Sequence, residues 1–200
     1  MFPFDLVEPE GPRIGLIALQ SDETIERDMR SLLPQEAEFM VTRVPAAEEV
    51  TRDTLAAMEG QLAAAASLFP SGVQFDVIGF GCTSGTAQIG ATVVADRIGS
   101  AAVTSAVTQP LSSLVAACRR LGLKRLALLS PYVAQVSEHL REVLWSDGIE
   151  TPAFGSFAAA TEATVVRISG QSILDAAAAL TQGADVDGVF LSCTNLAPWM

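Results

Sequence analysis

The sequence predicts an α/β protein made of two pseudo-symmetric lobes, each a parallel sheet flanked by helices, with the active site between them. Three observations carry this. Apolar runs of strand length alternate with helix-like segments. The second half repeats the first without a gap, 111 residues on. Both copies close on the same pair, Cys82-Thr83 and Cys193-Thr194. Residues 1–110 are read as the first lobe and 111–200 as the second.

The elements follow in order. Arg13–Leu19 (RIGLIAL) is an apolar strand, and a polar helix over about Asp22–Leu33 starts at Ser21 or Asp22 as N-cap. Phe39–Val44 reads as a second strand. Thr51–Phe69 reads as one long Ala/Leu helix, ended by Pro70 and Gly72. Asp76–Phe80 is a third strand running into Gly81-Cys82-Thr83-Ser84-Gly85, and Thr86–Ile98 is helical. Ala101–Thr104 is expected as a fourth strand and Pro110–Leu121 as a helix. The cycle restarts at Lys124–Ser130. In the repeat Gly11 falls on Gly122, Gly72 on Gly183 and Asp76 on Asp187. Shared Ala-rich helices arise in any two βα units; a single ungapped offset carrying two glycines, an aspartate and a Cys-Thr pair does not.

Half of the 200 residues are apolar, enough to bury a substantial core. The net charge of −11 repels phosphate backbones and anionic lipid, so nucleic acid and membrane partners are not expected. No run approaches the roughly 18 apolar residues of a membrane span. Met1–Pro12 carries acids and prolines rather than a basic start and an apolar run, so no export signal is read and the expected compartment is the cytoplasm. Three cysteines, none in a CxxC pair, and one histidine offer neither a disulfide framework nor a zinc set. Neither metal nor cofactor is expected.

Both repeated cysteines follow an apolar strand, where parallel sheets bind ligands beside helix N-termini that favour anions. Gly81 and Gly85 allow close backbone approach, and the same field is expected to lower a cysteine's pKa. Two such sulfurs across one cleft suit a small carboxylate substrate. One group removes a proton from the carbon beside the carboxylate and the other returns one to the opposite face. Alternatively one thiolate adds to an activated double bond, which rotates before elimination. A lone cysteine is more often a buried apolar residue. Gly-Cys-Thr-Ser-Gly is poor core material, however, and the repeat at Cys193 shifts the balance to chemistry. Cys118, in VAACRRLG, reads as core, and His139, in SEHLREVL, as surface. Tyr132, the single tyrosine, follows a strand and precedes a helix, a position open to either site or packing.

The segments GFGCTSGTA, LLSPYVAQV and FLSCTNLA resemble the aspartate/glutamate racemase superfamily. They are most similar to its branch of maleate cis–trans isomerase, arylmalonate decarboxylase and an ectoine-utilisation protein. The likeness runs from Ile14 onward. It implies a cofactor-independent site between the lobes, with Cys82 as nucleophile and Cys193 as acid/base partner. It places carboxylate-binding donors on Thr83, Ser84, Tyr132 and Thr194. It also implies frequent homo-oligomers, although nothing in this sequence marks an interface. Decarboxylases of the branch have glycine at the first cysteine position, so Cys82 counts against decarboxylation. Three departures stand out. Ser21-Asp22-Glu23 replaces Ser-Asn-Thr, putting the acid Asp22 at a substrate-contacting position. Thr161 or Glu162 stands where the isomerase has its second asparagine. The chain reaches Met200 seven residues after Cys193, where relatives continue through helix, strand and helix. The leading expectation is a maleate-isomerase-like enzyme. The alternatives are a racemase of an amino-acid or ectoine-derived metabolite, a substituted-malonate decarboxylase and a non-catalytic binding module.

Overall fold

The computed structural model describes residues 1–7 and 10–198. Glu8 and Pro9, within the segment read for an export signal, lie outside the described residues, as do Trp199 and Met200 at the chain end. The first sheet consists of β1 (Arg13–Leu19), β2 (Glu38–Val44), β3 (Val77–Phe80) and β4 (Val107–Thr108), ordered β2-β1-β3-β4. The second consists of β5 (Arg125–Tyr132), β6 (Glu150–Ala159) and β7 (Gly188–Leu191), ordered β6-β5-β7. Every pairing within the two sheets is parallel. Each central strand is therefore buried on both faces, which is why RIGLIAL and RLALLSPY are near-continuous apolar runs. Among the described residues no helix is long and apolar enough to cross a membrane.

The 111-residue offset survives into three dimensions. β3 and β7 coincide under it, and α3 (Glu59–Ala66) and α9 (Gly170–Thr181) begin at equivalent residues. Gly72 and Gly183 both take positive φ, +83° and +72°, a region L-residues avoid. The Asp76 carboxylate accepts from the Arg13 N–H, and Asp187 accepts in the same way from Lys124.

The Thr51–Phe69 helix is in fact two, α2 (Arg52–Ala57) and α3. The Gln61 N–H reaches back only three residues, to the Met58 carbonyl, beside Gly60, a poor helix former. The helix expected from Thr86 starts at Thr83 and splits at Gly90, φ +95°, into α4 (Thr83–Ile89) and α5 (Ala91–Gly99). The fourth strand lies at Val107–Thr108, not Ala101–Thr104. Thr104 makes a single bridge to Phe75, and its hydroxyl turns to the Ala106 carbonyl (2.8 Å), diverting the chain before it pairs with β3.

One core cluster joins Ile17, Phe80 and Cys82 of the first sheet's side to Leu129, Tyr132 and Leu196. A second packs Leu111, Val115 and Cys118 of α6 (Pro110–Leu121) on Leu126 and Leu128 of β5 and on Leu140 and Leu144 of α7 (Ala134–Ser146). Cys118 is thus core, as expected. His139 is not a free surface residue: it is half-buried, with Nε2 3.1 Å from the Ala87 carbonyl at the α4–α7 seam.

Candidate active site

Cys82 follows β3 after the single residue Gly81 and is the N-cap of α4. Its Sγ accepts the Gly85 N–H at 3.2 Å, so the sulfur sits where a helix start offers unpaired donors. Gly85 keeps this turn compact: a Cβ there would stand 2.7 Å from Met58 Cε and 2.8 Å from Cys82 Sγ, so one of those side chains would have to shift. Thr83 and Ser84 are buried in the first turn of α4, beside Cys82.

On the other side, Tyr132 ends β5. Pro131 has no N–H for the ladder, and the β5–β6 register shifts between Ser130 and Tyr132, which re-aims the tyrosine. The Ser130 hydroxyl accepts the Tyr132 N–H, and Ser156 bonds its carbonyl. The Tyr132 hydroxyl donates to Glu162 Oε1 and lies 3.0 Å from Cys193 Sγ. Glu162 is the first residue of α8 (Glu162–Val165), reached through Ala158 at φ 53°, a rare conformation for a residue with a Cβ. Its Oε2 accepts from Asn195 Nδ2 at 2.8 Å, and the Asn195 N–H points back to Cys193 Sγ at 3.4 Å. Cys193, Tyr132, Glu162 and Asn195 therefore form a closed hydrogen-bonded ring.

Asp22 ties this ring to the first lobe. Its Oδ1 accepts the Thr24 and Ile25 N–H groups at 2.8 Å each, capping the start of α1 (Ile25–Leu32). Its Oδ2 accepts from the Thr194 hydroxyl at 2.5 Å. Thr24 Oγ1 donates to the Thr194 carbonyl, and Asn195 Oδ1 accepts the Glu23 N–H. Sequence reasoning singled out neither Asn195 nor Thr24, and met Glu162 only as a mismatch. Asn195 had a local signal, directly after the repeated Cys-Thr pair.

Burial dominates the electrostatics. It pushes the Cys82 thiol from an ordinary 9.0 up to about 12, against the opposing Gly85 and Ser84 N–H groups, with Glu162 and Asp22 adding to the rise. Cys193 is raised well above the ordinary thiol value, first by burial and then by Glu162. Tyr132 rises too, by burial and then by the charges of Cys193, Glu162 and Cys82. The expectation that the strand-end field lowers the thiol pKa is overturned. Loss of hydration outweighs two backbone donors when acids, not cations, are the neighbours. The loops carrying the two cysteines meet directly: the Thr194 hydroxyl, next to Cys193, lies 3.5 Å from the carbonyl of Gly81, next to Cys82.

A small pocket of about 20 Å³, room for about one water, lies beside Glu162 and is otherwise lined by Ser21, Ala46, Glu49, Val50 and Leu55 among others. Among the described residues Ser21 Oγ is the buried side-chain polar atom without a hydrogen-bond partner. Also among the described residues, no three His, Cys, Asp or Glu side chains converge in a way that could hold a metal ion.

Two parallel sheets whose strand ends bring paired Cys-Thr loops together define a two-lobed α/β enzyme fold. The chain belongs to the arylmalonate decarboxylase family, whose model matches residues 14–199. The maleate isomerase of Nocardia farcinica is 26% identical, over 90% of this chain and 75% of that protein. A crystal structure of that isomerase as a cysteine-to-serine mutant, with a covalently bound succinylcysteine intermediate, superimposes with a TM-score of 0.81 at 25% identity. The match covers 94% of this chain and 80% of that one. The Pseudomonas putida maleate isomerase with maleate matches at TM-score 0.82 and 22% identity, over 94% and 80%. An arylmalonate decarboxylase double mutant in the liganded form matches at 0.78 and 22%, over 93% and 79%.

Proposed function

We propose that the chain is a cofactor-independent isomerase of a small carboxylate, acting through Cys82 and Cys193 much as maleate isomerase does. The site lies between lobes divided at residues 110 and 111. Cys82, neutral in the free protein, gives up its proton as its sulfur adds to the substrate's double bond. The Gly85 N–H at the helix start stabilises the charge that develops on the sulfur, and the released proton replenishes the one Cys193 delivers. Cys193 supplies and withdraws the proton. Thr83 and Ser84 take the carboxylate beside Cys82, and Tyr132 orients Cys193. Thr194 and Asp22 hold the two loops in register at the substrate's edge. The observation that carries this reading is the meeting of the two cysteine loops, Thr194 Oγ1 against the Gly81 carbonyl, with Cys82 N-capping α4 and Cys193 bonded to Tyr132. The succinylcysteine of the Nocardia relative supports a covalent route in this family.

A second reading, two-base racemisation, is favoured by the buried acids Asp22 and Glu162, which disfavour a second carboxylate on the substrate. Proton NMR in D₂O separates the two by following maleate-to-fumarate conversion and α-deuteration of alanine, an amino acid with a single carboxylate, in parallel. On whichever substrate turns over, Cys82→Ser and Cys193→Ser should each lose at least about 10²-fold in kcat, the scale of acid–base and nucleophilic contributions. Full turnover in either single variant refutes the thiol pair.

A further inference from the structure

Cys193 has to be a thiol when it delivers a proton and a thiolate when it withdraws one. Its surroundings are built for that change. Tyr132 carries one hydroxyl hydrogen, and donates it to Glu162 Oε1. The 3.0 Å contact between the Tyr132 oxygen and Cys193 Sγ is therefore made by the thiol S–H, which donates to the phenol. The three groups form one directed chain, from Cys193 through Tyr132 to Glu162. Asn195 stands at both ends of it. Its backbone N–H points to Cys193 Sγ at 3.4 Å and its Nδ2 donates to Glu162 Oε2 at 2.8 Å, so a donor meets the negative charge whichever end holds it. Cys82 has no such chain. Under the 111-residue offset Tyr132, Glu162 and Asn195 fall on Ser21, Thr51 and Ser84, which include neither an acid nor a phenol.

We propose that Glu162 is the base that ionises Cys193, receiving the thiol proton through the Tyr132 hydroxyl. The inference rests on the reading of Cys193 as the proton carrier, and gives Glu162 a part in placing that proton rather than in touching substrate. The step is a double proton shift. The Cys193 S–H bond breaks and its proton binds the Tyr132 oxygen, while the Tyr132 O–H bond breaks and that proton binds Glu162 Oε1. The sulfur keeps the bonding electron pair. One negative charge passes from carboxylate to thiolate, the tyrosine ends neutral as it began, and nothing is oxidised or reduced. Each hydrogen bond then runs the other way, Glu162 donating to Tyr132 and Tyr132 to the thiolate. Burial raises the proton affinity of Glu162 toward that of a thiol. Part of the rise at Cys193 comes from the Glu162 charge, and that part vanishes once Glu162 holds the proton. The ionised thiol is the minor form, drawn on during turnover. The other titratable groups facing the pair are Cys82, Asp22 and Glu49. Arg43 and Arg167 stand beyond, bonded to the Asp22 carbonyl and the Glu23 carboxylate.

The test needs no substrate. A thiol that shares one proton with a carboxylate keeps a constant thiolate fraction while the pair holds that proton. An isolated thiol below its pKa ionises about tenfold more with each pH unit. The whole chain is treated with iodoacetamide from pH 7 to 8.5, and both cysteines are followed in the same digest by peptide mass spectrometry. Cys193 should change by less than about threefold over that range, while Cys82 rises roughly thirtyfold. Glu162→Gln should give Cys193 the slope of Cys82. Tyr132→Phe removes the hydrogen bond that the thiolate accepts, and should slow Cys193 at pH 7 by at least about tenfold. A Cys193 rate that climbs in parallel with Cys82 in the unmodified protein overturns the proposal. So does a flat profile that survives Glu162→Gln. If Glu162→Gln fails to fold, Tyr132→Phe decides, and an unchanged rate at pH 7 refutes the relay. Alkylation does not depend on turnover, so a negative result here leaves the fate of the thiol pair to the Cys82 and Cys193 serine variants.

Discussion

The two cysteine loops began as copies and now solvate their sulfurs differently. Cys82 is 5% exposed and leans on backbone: Gly85 N–H accepted at the start of α4, a glycine kept small by Met58. Cys193 is half-buried and leans on side chains: the Tyr132 hydroxyl at 3.0 Å, itself held by Glu162, with the Asn195 amide behind it. Under the repeat, Gly85 of the first loop corresponds to Leu196 of the second, which is buried in the core. A fixed dipole suits a sulfur that must hold negative charge, whereas a titratable chain suits one that must pass a proton in both directions. The repeat supplies two thiols; the differences around them give each its own set of hydrogen-bond partners.

That contrast can be broken or sharpened by experiment. The largest effect concerns ionisation. With its pKa near 12, Cys82 should react with iodoacetamide about tenfold faster for each pH unit from 7 to 10, a thousandfold in all, as peptide mass spectrometry would read. A rate that levels off below pH 9 would contradict the burial argument. The same shift sets the sign of a stability change. Folding keeps Cys82 neutral, so that contribution is whole below pH 9 and is lost as pH climbs from 9 toward 12.

A middle-sized effect is expected at Gly85→Ala, which forces a methyl to 2.8 Å from the Cys82 sulfur. Overpacking of this kind costs about 1–3 kcal/mol, seen as a lower urea midpoint with an unchanged slope. An unchanged midpoint would mean that the first loop has slack, erasing the contrast with the second. The smallest effect lies at two similar ion pairs between neighbouring strands. Arg13–Glu38 at 3.0 Å and Arg125–Glu150 at 3.2 Å stand one position out of the 111-residue register but are alike and partly exposed. Glu38→Gln and Glu150→Gln should each cost roughly 0–1 kcal/mol and by similar amounts. A large asymmetry would mean that the lobes differ well beyond the site.

Much of the fold was legible because it follows from periodicity. RIGLIAL and VIGF are continuous apolar runs that a sheet covered on both faces requires, and Pro110 with Gly122 brackets α6 from either end. Short or interrupted elements were not. The two-residue β4 offers no pattern to read, and Gly90 breaks a helix whose composition is otherwise uniform. The candidate site was legible in its sulfurs and in Tyr132, which repeat or follow strands. Glu162 was not, since it reaches the site through an unusual φ at Ala158, 31 residues before Cys193 and outside any motif.

The sequence by itself determined the α/β alternation, the duplication, and the residues at the strand ends, because these depend on local spacing and on which side chains can enter a helix or strand. Only the tertiary structure decided how those residues are solvated. The ring of Cys193, Tyr132, Glu162 and Asn195, and the Asp22–Thr194 bond, join residues up to 172 positions apart. Their consequence, thiols held neutral among buried acids, reverses what the same loops imply in isolation. Desolvation is a property of everything packed around a group, and no stretch of chain contains it.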